Sequence, residues 1–156
     1  MEFDLIKRLI AAFEARGVVY AVFGAVALNL HGIVRATEDL DLFVEPTASN
    51  IERLRQALND VFDDPSIDDI TATDLLGAYP SIRYVPPRGE FYLDILTKLG
   101  EAFTFADLDT ERVSFDDVTA TVVTPRMLYR MKKATVRPKD RLDAEVLREA
   151  FGLEDD

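Results

Sequence analysis

Two aspartates separated by one leucine, Asp39-Leu40-Asp41, are the first residues whose types and spacing imply chemistry. On a strand, residues two apart share a face, so both carboxylates converge while Leu40 and Leu42 turn to the opposite, apolar side. A third acid, Asp94, interrupts the apolar run Phe91-Tyr92-Leu93-Asp94-Ile95-Leu96. An ionised carboxylate in such surroundings needs a partner, because burying it alone is costly. If the two strands are neighbours, three carboxylates meet on one face. Repulsion would then raise a pKa unless a divalent cation sits among them, and hard oxygen donors suit Mg²⁺ or Mn²⁺ shared with substrate phosphates. The same residues also fit an edge strand whose wet face carries Asp39 and Asp41, with Asp94 in a salt bridge.

Upstream, a strand ends at Phe23-Gly24 and a helix opens at Ala25. That junction either points backbone N–H groups at an incoming anion or is a plain strand-to-helix turn. Downstream, Arg126, Arg130, Lys132, Lys133, Arg137, Lys139 and Arg141 stand against one acid, Asp140. On a helix starting near Pro125, Leu128 and Met131 define the buried side. Lys132 lies at its edge, where a lysine reaches over the sheet toward phosphate as a point charge. The segment carries +6 and the rest of the chain −17, so the charge describes a local anion site or a solvated basic helix face. A net charge of −11 argues against a general nucleic-acid binder.

The elements that must hold these residues follow from periodicity and breakers. Phe3, Leu5, Ile6, Leu9, Ile10 and Phe13 recur at three and four, predicting a helix over 3–16 stopped by Gly17. Strands are predicted at 18–23, 39–45, 81–85 and 91–96, the last two joined by Pro86-Pro87-Arg88-Gly89. A further hairpin, 112–115 with 118–123, turns at Asp116-Asp117. Helices are predicted at 25–30, at 50–62 with Ser49 as cap, and around 73–79. The acidic stretch 60–69 reads as a loop. Thr124 caps a helix opening at Pro125, and a last helix runs from 138 to 151. The order is that of an α/β (α+β) chain with a mixed sheet flanked by helices.

A chain of 156 residues bounds the fold to one domain, a core over about 1–123 and a C-terminal helical segment over about 124–152. With 48% apolar and 30% charged residues it reads as a soluble globular protein. The absence of cysteine excludes thiolate nucleophiles and Cys–zinc sites, and a single histidine excludes a His-cluster metal centre. No apolar stretch approaches the ~20 residues of a membrane span, and no signal peptide is evident, so the expectation is a cytoplasmic protein without membrane contact. His31 is expected to cap or pack at a helix end before Gly32.

Gly24-Ala25, then Arg35-Ala36-Thr37-Glu38-Asp39-Leu40-Asp41, then Asp94, together resemble the signature of the nucleotidyltransferase superfamily that includes DNA polymerase beta. The string FGAVALNLHGIVRATEDLDLFV, residues 23–44, is especially similar to minimal bacterial members related to AbiEii-type abortive-infection toxins. Their late pattern, a lysine, then Arg-x-Lys-Asp and an Asp three further on, is matched between Leu128 and Asp143. The resemblance implies a nucleotidyltransferase-like core closed by two C-terminal helices. It also implies transfer of a nucleoside monophosphate from NTP to an acceptor hydroxyl. Asp39 and Asp41 would hold the metals, and Asp94 would complete one site and serve as base. Gly24 and Ala25 would cradle phosphate through their backbone, and Lys132 would neutralise it. Arg35 and Thr37 would have positioning roles, and Arg137, Lys139 and Asp140 either pair structurally or touch substrate.

One departure stands out: the family has glycine or serine where this chain has Ala25. The acceptor stays open among a small molecule, an RNA end and a protein side chain, as does a toxin role paired with an antitoxin. The rival reading is a catalytically inactive nucleotide-binding or protein-interaction module on the same fold.

Overall fold

Pairing along both of its edges places the strand Asp39–Val44 inside the sheet, with one side sealed and the other half open at Asp39 and Asp41. The computed structural model describes residues 3–36, 38–87, 91–99, 103–133 and 138–153. In chain order its main elements are α1 (Phe3–Arg16), β1 (Tyr20–Phe23), α2 (Gly24–Leu30), β2 (Asp39–Val44), α3 (Ala48–Phe62) and α4 (Ala72–Leu75). There follow β3 (Ser81–Tyr84), β4 (Tyr92–Leu96), β5 (Lys98–Leu99), β6 (Phe103–Thr104), β7 (Thr110–Phe115), β8 (Val118–Val123), α5 (Pro125–Lys133) and α6 (Pro138–Phe151).

Six strands form one mixed sheet in the order β3-β4-β2-β1-β8-β7. β2 runs antiparallel to β1 and parallel to β4, and β1 runs parallel to β8. The hairpins β3–β4 and β7–β8 close the two flanks. The mixed α/β architecture with two C-terminal helices is the one expected from the sequence.

Leu40, Leu42, Leu93 and Ile95 are fully buried in one continuous core with Ile6, Leu9, Ile10 and Phe13 of α1 and Leu54 and Leu58 of α3. On the other face Phe43 is buried too, its ring 5.2 Å from that of Phe23. β2 therefore loses its alternation toward its C-terminal end, and only Asp39 and Asp41 remain partly open. The β2–α3 connection is fixed by Asn50, which is fully buried. Its side-chain oxygen accepts from the Val19 N–H, and its amide donates to the carbonyls of Val19 and Glu45.

Three local expectations differ from the fold. The cap of α3 is Thr47, whose hydroxyl accepts from the Asn50 N–H, and Ser49 lies inside the helix. The stretch 60–69 is not all loop: beyond the end of α3, which falls at Phe62 as expected, a 3₁₀ turn, Pro65–Asp69, opens under an Asp64 cap. The short helix expected at 73–79 begins earlier and ends sooner, at Ala72–Leu75, because Thr71 supplies its cap. The turn residues Arg88 and Gly89 lie outside the described residues. Among the described residues no helix is long and apolar enough to cross a membrane.

Candidate active site

Parallel pairing of β2 with β4 sets Asp41 directly opposite Asp94, with Asp39 one alternation away on the same face. Carboxylate oxygens of Asp39, Asp41 and Asp94 all lie within 4.8 Å of one another, and all three residues are half-buried. This separation is too short for three bare charges. Burial is the largest cause lifting Asp41 from an ordinary 3.8 to about 8, followed by the charges of Asp39 and Asp94 and a hydrogen bond shared with Asp39. The ammonium of Lys132 pulls in the opposite direction. Burial and repulsion thus favour the protonated form of Asp41, and added positive charge favours the ionised one. Three hard oxygen donors at this spacing fit a divalent cation.

Gly24 explains why the cluster is possible. Its φ is +69°, in the left-handed region, and a Cβ there would overlap the Asp41 carboxylate. Glycine thus meets two demands at once, a backbone turn from β1 into α2 and close approach of the acid. Ala25, the next residue, is half-buried in the first turn of α2.

Above the sheet, Lys132 of α5 lies in the wall of a cavity of ≈ 410 Å³ that also takes in Gly24, Asp41 and Asp94. Its ammonium is 3.3 Å from Asp140 and 3.2 Å from Asp143, both of α6 and both buried. Asp143 in turn meets the Arg35 guanidinium at 3.2 Å. Within the late basic segment Lys132 is therefore not a solvated charge, whereas Arg126, Arg130, Lys133, Lys139 and Arg141 are exposed. Lys132 and Arg35 tie α5, α6 and the loop after α2 into one ion-paired unit. Arg35 faces a second cavity beside α6 rather than the carboxylates. Thr37 and Arg137 lie outside the described residues. His31 packs at the end of α2, as its position before Gly32 suggests, with Nε2 2.8 Å from the Val123 carbonyl.

Two residues at the site have no place in the sequence reading. Arg83 of β3 pairs with Asp94 across the hairpin, and Tyr92 lies under its guanidinium. The signal was present: with the hairpin register in hand, Arg83 and Asp94 are an opposite-charge cross-strand pair. The remainder of the cavity wall is mostly apolar, from Phe23, Leu96, Leu99, Leu128 and Met131, with Ser81 and Asp140 as its polar members.

The ion-paired lysine gives a sharp contrast with its neighbour. Lys132→Ala should lower stability by about 3 kcal/mol, because Asp140 and Asp143, both buried, each lose an ion pair with the ammonium. Lys133 is exposed, its ammonium 5.1 Å from the Tyr129 ring, and Lys133→Ala should cost less than about 1 kcal/mol. Urea unfolding of the two variants measures the difference. Calorimetric titration with a nonhydrolysable NTP should show the larger loss of affinity in Lys132→Ala as well.

The same fold occurs in solved nucleotidyltransferases. The lincosamide antibiotic adenylyltransferase LnuA, in its lincomycin-bound crystal structure, superposes with a TM-score of 0.61 at 13% identity, covering 95% of this chain and 97% of that one. ANT(2")-Ia in complex with adenylyl-2"-tobramycin gives 0.56 at 15% identity, covering 96% and 88%. No curated protein sequence matches the chain. The family model for the nucleotidyl transferase AbiEii toxin of Type IV toxin–antitoxin systems matches residues 8–143. That span takes in the glycine turn, all three aspartates, Lys132 and the α6 acids, and the chain belongs to the AbiEii nucleotidyltransferase family.

Proposed function

We propose that the protein transfers a nucleoside monophosphate from an NTP to an acceptor hydroxyl in a reaction dependent on Mg²⁺ or Mn²⁺. The observation that carries this reading is the convergence of Asp39, Asp41 and Asp94 within 4.8 Å, two of them, Asp41 and Asp94, lining one cavity with Gly24 and Lys132. Asp39 and Asp41 bind the cation, and Asp94 shares in it. A divalent cation held there would align the triphosphate oxygens and neutralise their charge. The backbone at Gly24 and Ala25 receives phosphate where the chain turns into α2, and Lys132 faces it from α5. Arg35 acts at one remove, through Asp143. Asp94, on the far side of Asp41 from Gly24, takes the proton of the attacking hydroxyl. The acceptor oxygen then bonds the α-phosphorus, the bond to the β-phosphate bridge breaks, and pyrophosphate leaves.

The acceptor is the open part of this reading. A small molecule, an RNA end or a protein hydroxyl would each serve, provided it reaches Asp94. Because the family is that of a Type IV toxin, we read the protein as a toxin component whose effect an antitoxin counters, acting in the cytoplasm where NTP and Mg²⁺ are available. Incubation with each labelled NTP, Mg²⁺ or Mn²⁺ and a cell extract tests the proposal. Pyrophosphate should be released and one class of molecule labelled, and a chelator should stop both. Tight NTP binding without labelling across several extracts would favour a binding module instead.

A further inference from the structure

Asp94 does not face the other two carboxylates unaided. Arg83 Nε lies 3.0 Å from its Oδ1, and Nη2 donates to Oδ2 at 3.5 Å, so the guanidinium fork addresses both oxygens. The Arg83 Cζ sits 4.0 Å from the centre of the Tyr92 ring, which fixes the plane of that fork. Tyr92 and Asp94 are two apart on β4 and share its face, while Arg83 comes from the edge strand β3 in register with Asp94. An isolated surface ion pair lacks this geometry and contributes little. Here the pair is asymmetric: the arginine side chain is 58% exposed and the aspartate 21%, and both line the cavity.

The two cations at the cavity are differently committed. Lys132 already balances Asp140 and Asp143. Both hydrogen bonds of Arg83 among the described residues go to Asp94. We propose that Arg83, laid over Tyr92, is the built-in counter-cation of the carboxylate cluster: it aims Asp94 into the cavity and must share it with any divalent cation that enters. This rests on reading the cluster as a cation site. Arg83 is a positioning residue, acting through Asp94, and it sets the metal concentration at which the cluster fills.

The signature is an opposition of sign. Removing a positive charge a few ångströms from the site strengthens cation binding, whereas a variant that merely damaged the fold would weaken it. Titration calorimetry with Mn²⁺ alone, on the full chain, should show about three- to tenfold tighter binding in Arg83→Ala. Arg83→Lys keeps the charge and should stay within about twofold of the unaltered protein. Because Arg83 is exposed, the gain in Arg83→Ala should shrink between low salt and about 0.5 M salt. Tyr92→Leu frees the guanidinium from its plane and should give an intermediate gain. Equal or weaker Mn²⁺ binding in Arg83→Ala, with binding in the unaltered chain that Asp41→Asn abolishes, overturns the role of Arg83 and leaves the cation site intact. An unaltered chain that binds no Mn²⁺ overturns the cation site and this role with it.

Discussion

Asp41→Asn should make the metal-free protein more stable at neutral pH while abolishing both its stabilisation by Mg²⁺ and its nucleotidyl transfer. The gain in stability follows from the burial and, after it, the repulsion that together lift Asp41 to about 8 in the folded chain from an ordinary 3.8. A raised folded-state value means that the native state binds the proton more tightly than the unfolded one. The associated stability is full below about pH 4 and is lost progressively as pH rises toward 8. Metal-free protein should therefore weaken by a few kcal/mol across that window, and the asparagine variant should not. A bound cation removes the repulsion and displaces the proton, so Mg²⁺ should restore stability most at high pH and should release protons as it binds. Loss of a shared ligand should lower transfer at least about a hundredfold, since even outer partners of metal ligands are worth 10–100-fold. Thermal melts from pH 4 to 9, with and without Mg²⁺, give the stability changes in one series, while calorimetry in two buffers reads the proton release and pyrophosphate release reads the transfer. A Mg²⁺-dependent shift that survives in Asp41→Asn would remove the metal from this site.

Much of this site was legible because strand alternation is a local rule. Leu40 and Leu42 are buried and Asp39 and Asp41 are half-open, as the two-residue period requires. The meeting with Asp94 was legible only conditionally, since parallel pairing of β2 and β4 spans the whole of α3 and the β3 hairpin. The same limit hid the partners of Lys132. Helical phase put it beside Leu128 and Met131, but Asp140 and Asp143 reach it through the packing of α6 on α5. The small β5–β6 hairpin was missed because two-residue strands carry no period, yet its Leu99 lines the cavity. Arg83 was missed for a different reason. The hairpin was recognised without its register, and register alone decides which charges face each other.

The adjacent pair Gly24 and Ala25 should respond in opposite ways to the addition of a single heavy atom. Gly24→Ala places a methyl at a φ of +69°, which costs about 1–2 kcal/mol in backbone strain alone. The methyl also overlaps the Asp41 carboxylate. Asp41 must therefore move away from Asp39 and Asp94, and the three oxygens no longer share one cation. Transfer should fall at least about a hundredfold, with Mn²⁺ affinity falling in parallel and the melting temperature dropping. Ala25→Ser adds its oxygen at a half-buried position in helical backbone. Its stability should change by less than about 0.5 kcal/mol. The hydroxyl restores the serine that family members use toward phosphate, so activity should hold or rise modestly. Pyrophosphate release and Mn²⁺ calorimetry on both variants measure the contrast. An active Gly24→Ala would mean that Asp41 has room the structure does not give it, and the close packing of the glycine against the carboxylate would lose its role in building the site. An Ala25→Ser that loses activity would show instead that the backbone of that turn, without a side-chain oxygen, is what this chain uses to receive phosphate.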